Sequence, residues 1–183
     1  MARLVIKEMV DGLVLDLVRK ELVTDQIVLT VGYDHTGIPE NYDGKLETDR
    51  YGKKLPKPAH GSIHLDRQTA SAKLFLAAAM QLYDRIVDKN LLVRRMYVVA
   101  NHVIAEQDAD DDAPVQYGLF DDAEASERRR AREKIALDKE HRLQIAMLSI
   151  KSKYGKNAVL RCMNFEEGAT ARARNGQVGG HRA

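Results

Sequence analysis

The chain has 183 residues, 44% of them hydrophobic and 31% charged, with one cysteine, three Phe and no Trp. That length fits one domain with appended segments, or two very small domains. No stretch approaches about eighteen consecutive apolar residues, and the N-terminus lacks the pattern of a secretory leader, so a membrane or secreted protein is not expected. The single cysteine, Cys162, excludes an internal disulfide framework and a cysteine-based zinc cluster, and it favours the cytoplasm.

The net charge of +2 comes from 29 basic and 27 acidic side chains that are distributed unevenly. Residues 105–127 contain acidic side chains but no Lys or Arg, together with Pro114 and small residues. Such a segment cannot bury enough apolar surface to fold alone, which predicts a flexible linker. We therefore expect four segments: a folded domain (1–104), an acidic linker (105–127), a charged helix (128–155) and a basic flexible tail (156–183).

Hydrophobic periodicity predicts the elements of the first segment. A helix over 2–22 is followed by a strand over 25–34, a turn-rich loop that could hold a small hairpin, a strand over 60–66, a helix capped by Ser71 and a strand over 92–104. The order α-β-β-α-β indicates a two-layer α+β sandwich. The residues expected to face its core are Ile6, Val10, Leu13, Leu17, Ile27, Leu29, Val31, Tyr33, Phe75, Ala78, Leu82 and Ile86. Sandwiches of this kind usually begin with a strand, so we expect the first strand to be missing before Ala2.

The C-terminal third is predicted as one helix and a tail. Residues 125–154 favour a helix that ends at Gly155, with an apolar stripe only in its second half, at Leu143, Met147, Ile150 and Tyr154. The tail is rich in Gly and basic residues and has little to pack, so it is either disordered or ordered by a partner.

No pattern in the sequence predicts catalysis or a metal site. His60 and His64 lie four residues apart, which on a strand separates them by about 13 Å, too far to share an ion. Phosphate-binding loops of Walker or Rossmann spacing and nucleophile motifs are absent. The acidic run at 110–112 falls in the predicted linker, where no scaffold would fix a metal. We therefore predict no catalytic residue and no metal ligand.

Basic residues are better placed for a function. Lys53 and Lys54 lie in the long loop and Arg94 and Arg95 open the last strand, while Ser62 and His64 point outward from the second strand. An exposed sheet face of this kind can follow phosphates without reading sequence. The alternative is an ordinary solvated sheet face.

A short motif stands in the acidic segment. Gln116, Tyr117, Leu119 and Phe120 form a Gln-x-x-Leu-Phe pattern, in which a flexible chain presents an amide and adjacent large apolar groups. Peptides that bind in a pocket have this character. The alternative is that these side chains pack back on the sandwich.

These residues together resemble a known family. Residues 13–33 (LVLDLVRKELVTDQIVLTVGY), 60–64 (HGSIH) and 91–95 (LLVRR), with the helix from Ser71, are similar to the little-finger domain of Y-family translesion DNA polymerases. The motif at 116–120 (QYGLF) is similar to the family's sliding-clamp motif. Residues 154–158, 166–169 and 174–183 resemble the C-terminal tail of the UmuC-like (ImpB/MucB/SamB) subgroup of low-GC Gram-positive bacteria. The resemblance covers nearly the whole chain.

The resemblance implies the C-terminal part of a polymerase that acts in translesion synthesis and DNA repair. The palm domain that carries the magnesium-binding carboxylates precedes the little finger in this family, so this chain would be inactive alone. Its expected partners are template-primer DNA, the bacterial sliding clamp and, through the tail, a recombinase filament. Two other interpretations stay open: a clamp-binding module that never contacts DNA, and an RNA-binding sandwich, for which Tyr97 is the only obvious strand aromatic near the basic pair.

Overall fold

A computed structural model of the chain describes residues 1–109, 123–178 and 181–182, and it has the mixed α+β architecture expected from the sequence. In the first segment the order of the main elements is the predicted one, and the long loop does contain a hairpin, formed by residues 46–48 and 54–56. The elements are α1 (Ala2–Arg19), β1 (Leu22–Tyr33), β2 (Leu46–Thr48), β3 (Lys54–Pro56), β4 (Ala59–Thr69), α2 (Ala72–Ile86), β5 (Val93–Asn101), β6 (Ile104–Ala105), α3 (Ala123–Tyr154), α4 (Ala171–Asn175), β7 (Gln177–Val178) and β8 (His181–Arg182).

The central sheet is antiparallel and has β1 in the middle. Strand β4 pairs with one edge of β1 and β5 with the other, while β6 pairs with the first residues of β1. Helices α1 and α2 pack on one face of this sheet, and the buried core lies between the two layers. The opposite face of the β4-β1-β5 sheet is therefore free of these two helices.

The core forms where the sequence patterns predict it. Inward positions of β1 alternate with outward ones, as expected for a strand with one buried face. Gly61 occupies an inward position of β4, where a Cβ atom would come within 3.2 Å of the side chains of Leu82 and Ile86, so its lack of a side chain lets α2 approach. The fully buried apolar side chains include Ile6, Val10, Val14, Ile27, Leu29, Val31, Phe75 and Leu82. Each such side chain contributes about 1.5–3 kcal/mol of transfer free energy on burial.

Helix α3 docks on the start of α2 through polar groups. Ser71 Oγ accepts from the Leu74 amide, as an N-cap does, and donates to Glu140 Oε2 at 2.6 Å. Gln144 is 2% exposed and donates to the Ala70 carbonyl at 3.0 Å, and Met147 is also buried.

Only one of the four residues in the apolar stripe of α3 is buried. Of these, Met147 is buried, whereas Leu143, Ile150 and Tyr154 are 60%, 40% and 66% exposed. The helix faces the sandwich with Glu140, Gln144 and Met147, and the first two bond to backbone groups at the start of α2. Hydrophobic spacing alone could not anticipate a contact made by hydrogen bonds.

Part of the C-terminal segment packs on α1 around a buried carboxylate. Glu8 Oε1 accepts from Asn164, and Glu8 Oε2 accepts from the Thr170 amide and hydroxyl, from the Ala171 amide and from Arg174, at 2.9–3.2 Å. We call these five residues the Glu8 pocket. Next to it, Asp11 forms an ion pair with Arg161 at 2.5 Å. The mobility predicted for residues 156–183 stays a prediction, but the Glu8 pocket gives residues 164–174 a specific docking site.

None of the described helices combines the length and the apolar character that crossing a bilayer requires.

Candidate nucleic-acid interface

The face of the central sheet opposite α1 and α2 carries aligned rows of side chains. Strand register places Gln26 between His64 and Asn101, Val28 between Ser62 and Val99, and Thr30 between His60 and Tyr97, while Gly32 pairs with Arg95. We call these eleven residues the open face. It contains no acidic side chain, although Asp66 continues β4 outward beyond the last row.

Hydrogen bonds along two of these rows fix the polar side chains. Asn101 Nδ2 donates to Gln26 Oε1 at 3.0 Å, and Gln26 Nε2 lies 2.7 Å from His64 Nε2. In another row, Thr30 Oγ1 lies 2.9 Å from His60 Nδ1. His60 and His64 therefore have separate partners in separate rows, as their strand spacing predicts.

The basic residues lie at the end of the sheet where β5 begins. The register of β1 and β5 shifts between Gly32 and Tyr33, and this irregularity leaves both Arg94 and Arg95 exposed. Arg95 lies on the open face opposite Gly32, whereas Arg94 Nε is 4.0 Å from Asp34 Oδ2. Tyr97, the next outward residue of β5, is 54% exposed.

The pKa values of two aspartates, one after β1 and one in the hairpin, are lowered. Hydrogen bonds from the Thr36 amide and hydroxyl lower the pKa of Asp34, and the charge of Arg94 lowers it further. The pKa of Asp49 is lowered mainly by a hydrogen bond from the Lys53 amide, and Arg94 contributes there as well. Arg94 therefore helps to lower the pKa of one carboxylate beside it and of another in the hairpin that carries Lys53 and Lys54.

The predicted DNA-contacting residues thus fall into two groups. Ser62, His64 and Arg95 share the open face, while Arg94, Lys53 and Lys54 belong to the bulge and the hairpin at its basic end. The predicted clamp-binding residues lie outside the residues that the structure describes: Gln116, Tyr117, Leu119 and Phe120.

Sequence reasoning missed a cluster at the opposite corner of the sheet. Asp25 lies on a bulge of β1 between Thr24, which pairs with Thr69, and Gln26, which pairs with His64. His102 follows β5 with a left-handed backbone (φ 51°), and its Nδ1 lies 3.0 Å from Asp25 Oδ1. The rings of His64 and His102 are 5.8 Å apart. One potential ligand atom from each of these three residues lies within 4.8 Å of the others.

Comparison with known proteins adds nothing to these observations: the chain matches no protein-family model and no curated protein.

Proposed function

We propose that this chain is a DNA-binding module that contacts duplex or primed DNA through its open face, without reading sequence. The observation that carries the proposal is the composition of that face: hydroxyl, amide and imidazole groups in register, no acidic side chain, and Arg95 with further basic residues at one end. Groups of this kind bind phosphate and sugar oxygens and position a protein on DNA.

The size of the open face agrees with a modest contact. Its four rows are two residues apart along strands that rise about 3.3 Å per residue, which gives a length of about 20 Å. Phosphates of one DNA strand advance about 3.4 Å along the helix axis, so this length spans about six of them. With one arginine on the face and few others beside it, we expect weak binding that falls as salt rises.

The resemblance to UmuC-like Y-family polymerases supplies the biological context of the proposal. In that context the chain is the C-terminal DNA-binding and clamp-binding part of a translesion polymerase, and it acts in DNA repair. Catalysis and magnesium belong to the palm domain of such a polymerase, so no residue of this chain has a catalytic role. A recombinase filament remains a proposed partner of the C-terminal tail.

The DNA-binding proposal is tested with Arg94→Glu/Arg95→Glu. Fluorescence anisotropy with a primed duplex between about 50 and 200 mM salt should show affinity reduced by at least about tenfold and a flatter salt dependence, because fewer counterions are released. Arg19→Glu/Lys20→Glu is the matched control, since it makes the same change in net charge at an exposed pair that ends α1. Equal losses in both variants would show a net-charge effect, and unchanged binding in the first would overturn the proposal.

Two measurements distinguish this function from the alternatives. Duplex RNA of the same sequence that competes as well as DNA would favour an RNA-binding sandwich. A chain that binds no nucleic acid but binds the clamp would be an interaction module.

The clamp-binding part of the proposal rests on the motif at 116–120. Burying Leu119 and Phe120 is worth about 1.5–3 kcal/mol each before the cost of ordering the segment, so we expect roughly micromolar affinity. Leu119→Ala/Phe120→Ala should abolish binding to a bacterial sliding clamp in calorimetry, while Asp121→Asn/Asp122→Asn should retain it. A double-alanine variant that binds like the parent chain, or that unfolds the sandwich, would show that the motif is packing.

A further inference from the structure

We propose that Asp25, His64 and His102 bind a zinc ion at the corner of the sheet where the β1 bulge, β4 and the turn after β5 meet. This site does not depend on the DNA-binding proposal, because an ion would bind the free chain. The three residues are 38 and 39 positions apart along the sequence, in separate elements, and only the fold brings them together.

The donor set suits zinc. Two imidazoles and one carboxylate are a common three-residue set for Zn²⁺, with bonds of about 2.0–2.2 Å and a fourth position left for water. Tetrahedral geometry with such bonds puts neighbouring ligand atoms about 3.3 Å apart. His102 Nδ1 and Asp25 Oδ1 are already 3.0 Å apart, and all three ligand atoms fall within 4.8 Å. The widest separation must therefore shorten by at most about 1.5 Å, and His64 and His102 are both exposed.

A second set of contacts orients His64. Because Asn101 donates to Gln26 Oε1, Gln26 presents its NH₂ group to His64 Nε2. This nitrogen therefore has a lone pair directed at a donor, which is the form of imidazole that binds a metal. Gln26 and Asn101 therefore hold the His64 ring at the corner, and they would remain as polar neighbours of a bound ion.

Two backbone irregularities aim the other two ligands. The bulge between Thr24 and Gln26 turns Asp25 toward the corner, and Thr24 holds the bulge with its side-chain hydroxyl, which contacts the Asn101 carbonyl and accepts from the Gln26 amide. His102 takes a left-handed backbone that L-residues seldom adopt, and this conformation brings its ring next to Asp25. Backbone outliers of this kind often occur at functional sites.

The experiment measures Zn²⁺ binding to the full chain, free of any polyhistidine tag, by calorimetry and by NMR of the histidine side chains. We expect one ion per chain, with ring signals of His64 and His102 shifting together. Asp25→Asn, His64→Ala and His102→Asn should each weaken zinc binding by at least about tenfold. Mutating a residue that only supports a metal ligand already lowers metal affinity by about 10–100-fold, so loss of a ligand itself should cost no less. Asparagine is chosen at position 102 because it tolerates the left-handed backbone.

His60→Ala is the matched control, because His60 lies on the same strand and face but bonds to Thr30. It should bind zinc as the parent chain does. Circular dichroism of each variant checks the fold, and if His102→Asn unfolds, His102→Gly takes its place. The proposal is overturned if the parent chain takes up no zinc at about 100 μM, if the double variant His64→Ala/His102→Asn binds as well as the parent, or if the His60 ring shifts instead. Any of these results would assign the bound ion elsewhere, for example to the acidic segment, or exclude it.

Discussion

Two clusters of polar side chains in this molecule have similar chemistry and opposite environments. In the Glu8 pocket, a carboxylate whose side chain is fully buried receives hydrogen bonds from four other residues. At the sheet corner, Asp25 is 30% exposed and His102 is 56% exposed, and each has few partners. A buried charge must have its hydrogen bonds satisfied within the protein, whereas an exposed cluster keeps donor atoms available. The first arrangement holds segments together, and the second is suited to binding.

The strongest test of this difference is the stability of Glu8→Ala. Removing the carboxylate leaves the Thr170 and Ala171 amides and the Arg174 guanidinium without their shared partner, and breaking a buried pair of this kind costs about 3–5 kcal/mol. We expect a loss near the lower end, about 3 kcal/mol, in urea unfolding, because Arg174 is 39% exposed.

Two variants that should lose little stability serve as controls for that measurement. Asp16→Ala removes an exposed carboxylate from the same helix, where it forms an exposed ion pair with Arg19, and should cost less than about 0.5 kcal/mol. Asp25→Asn should also cost little if the corner is a binding site rather than a structural one. A loss at Asp25 as large as at Glu8 would remove the distinction between the two clusters.

The sequence predicted the sandwich because its signals are local. The period of two in β1, the helical spacing of Ile6 and Val10, and the cap at Ser71 each depend on residues within a few positions of one another. The outward direction of Ser62 and His64 follows from the same alternation.

Both polar clusters escaped sequence analysis because their contacts are long-range. Glu8 meets Thr170 across 162 positions, and nothing around Glu8 in α1 distinguishes it from an exposed helical glutamate. Asp25 reaches the corner from a bulge of β1, and His102 reaches it with a left-handed backbone, and no local pattern predicts either irregularity. The contact face of α3 was not predicted for a related reason, since Gln144 docks by a hydrogen bond to Ala70 that no apolar pattern reports.

A smaller effect is expected of zinc at the sheet corner on the affinity for DNA. This prediction rests on both the zinc and the DNA-binding proposals. An ion at Asp25, His64 and His102 adds two positive charges beside a face on which Arg95 is the only residue that is always charged. Saturating zinc should raise DNA affinity about three- to tenfold at 50 mM salt compared with the chelator-treated chain, and less at 200 mM. His102→Asn should remove the zinc effect and keep the binding that depends on Arg95. If zinc binds at the corner without changing the affinity for DNA, the zinc site and the DNA-binding face act independently.

The smallest expected effect is on the stability of the chain at low pH. Burial alone would raise the pKa of Glu8, but hydrogen bonds from Asn164, Thr170 and Ala171 outweigh it and lower this pKa below its ordinary value. A carboxyl group with a lowered pKa contributes stability that is present above the ordinary glutamate value of about 4.3 and is lost as the pH falls through the lower, folded-state value. The parent chain should therefore lose stability faster than Glu8→Gln as the pH falls from about 5 to 3, so the gap between their urea midpoints narrows. Asp34 and Asp49 also have lowered pKa values, but both variants contain them, so their contributions cancel in the difference. Parallel pH profiles would mean that the Glu8 pocket is not held by a charged carboxylate, and its contrast with the sheet corner would then rest on burial alone.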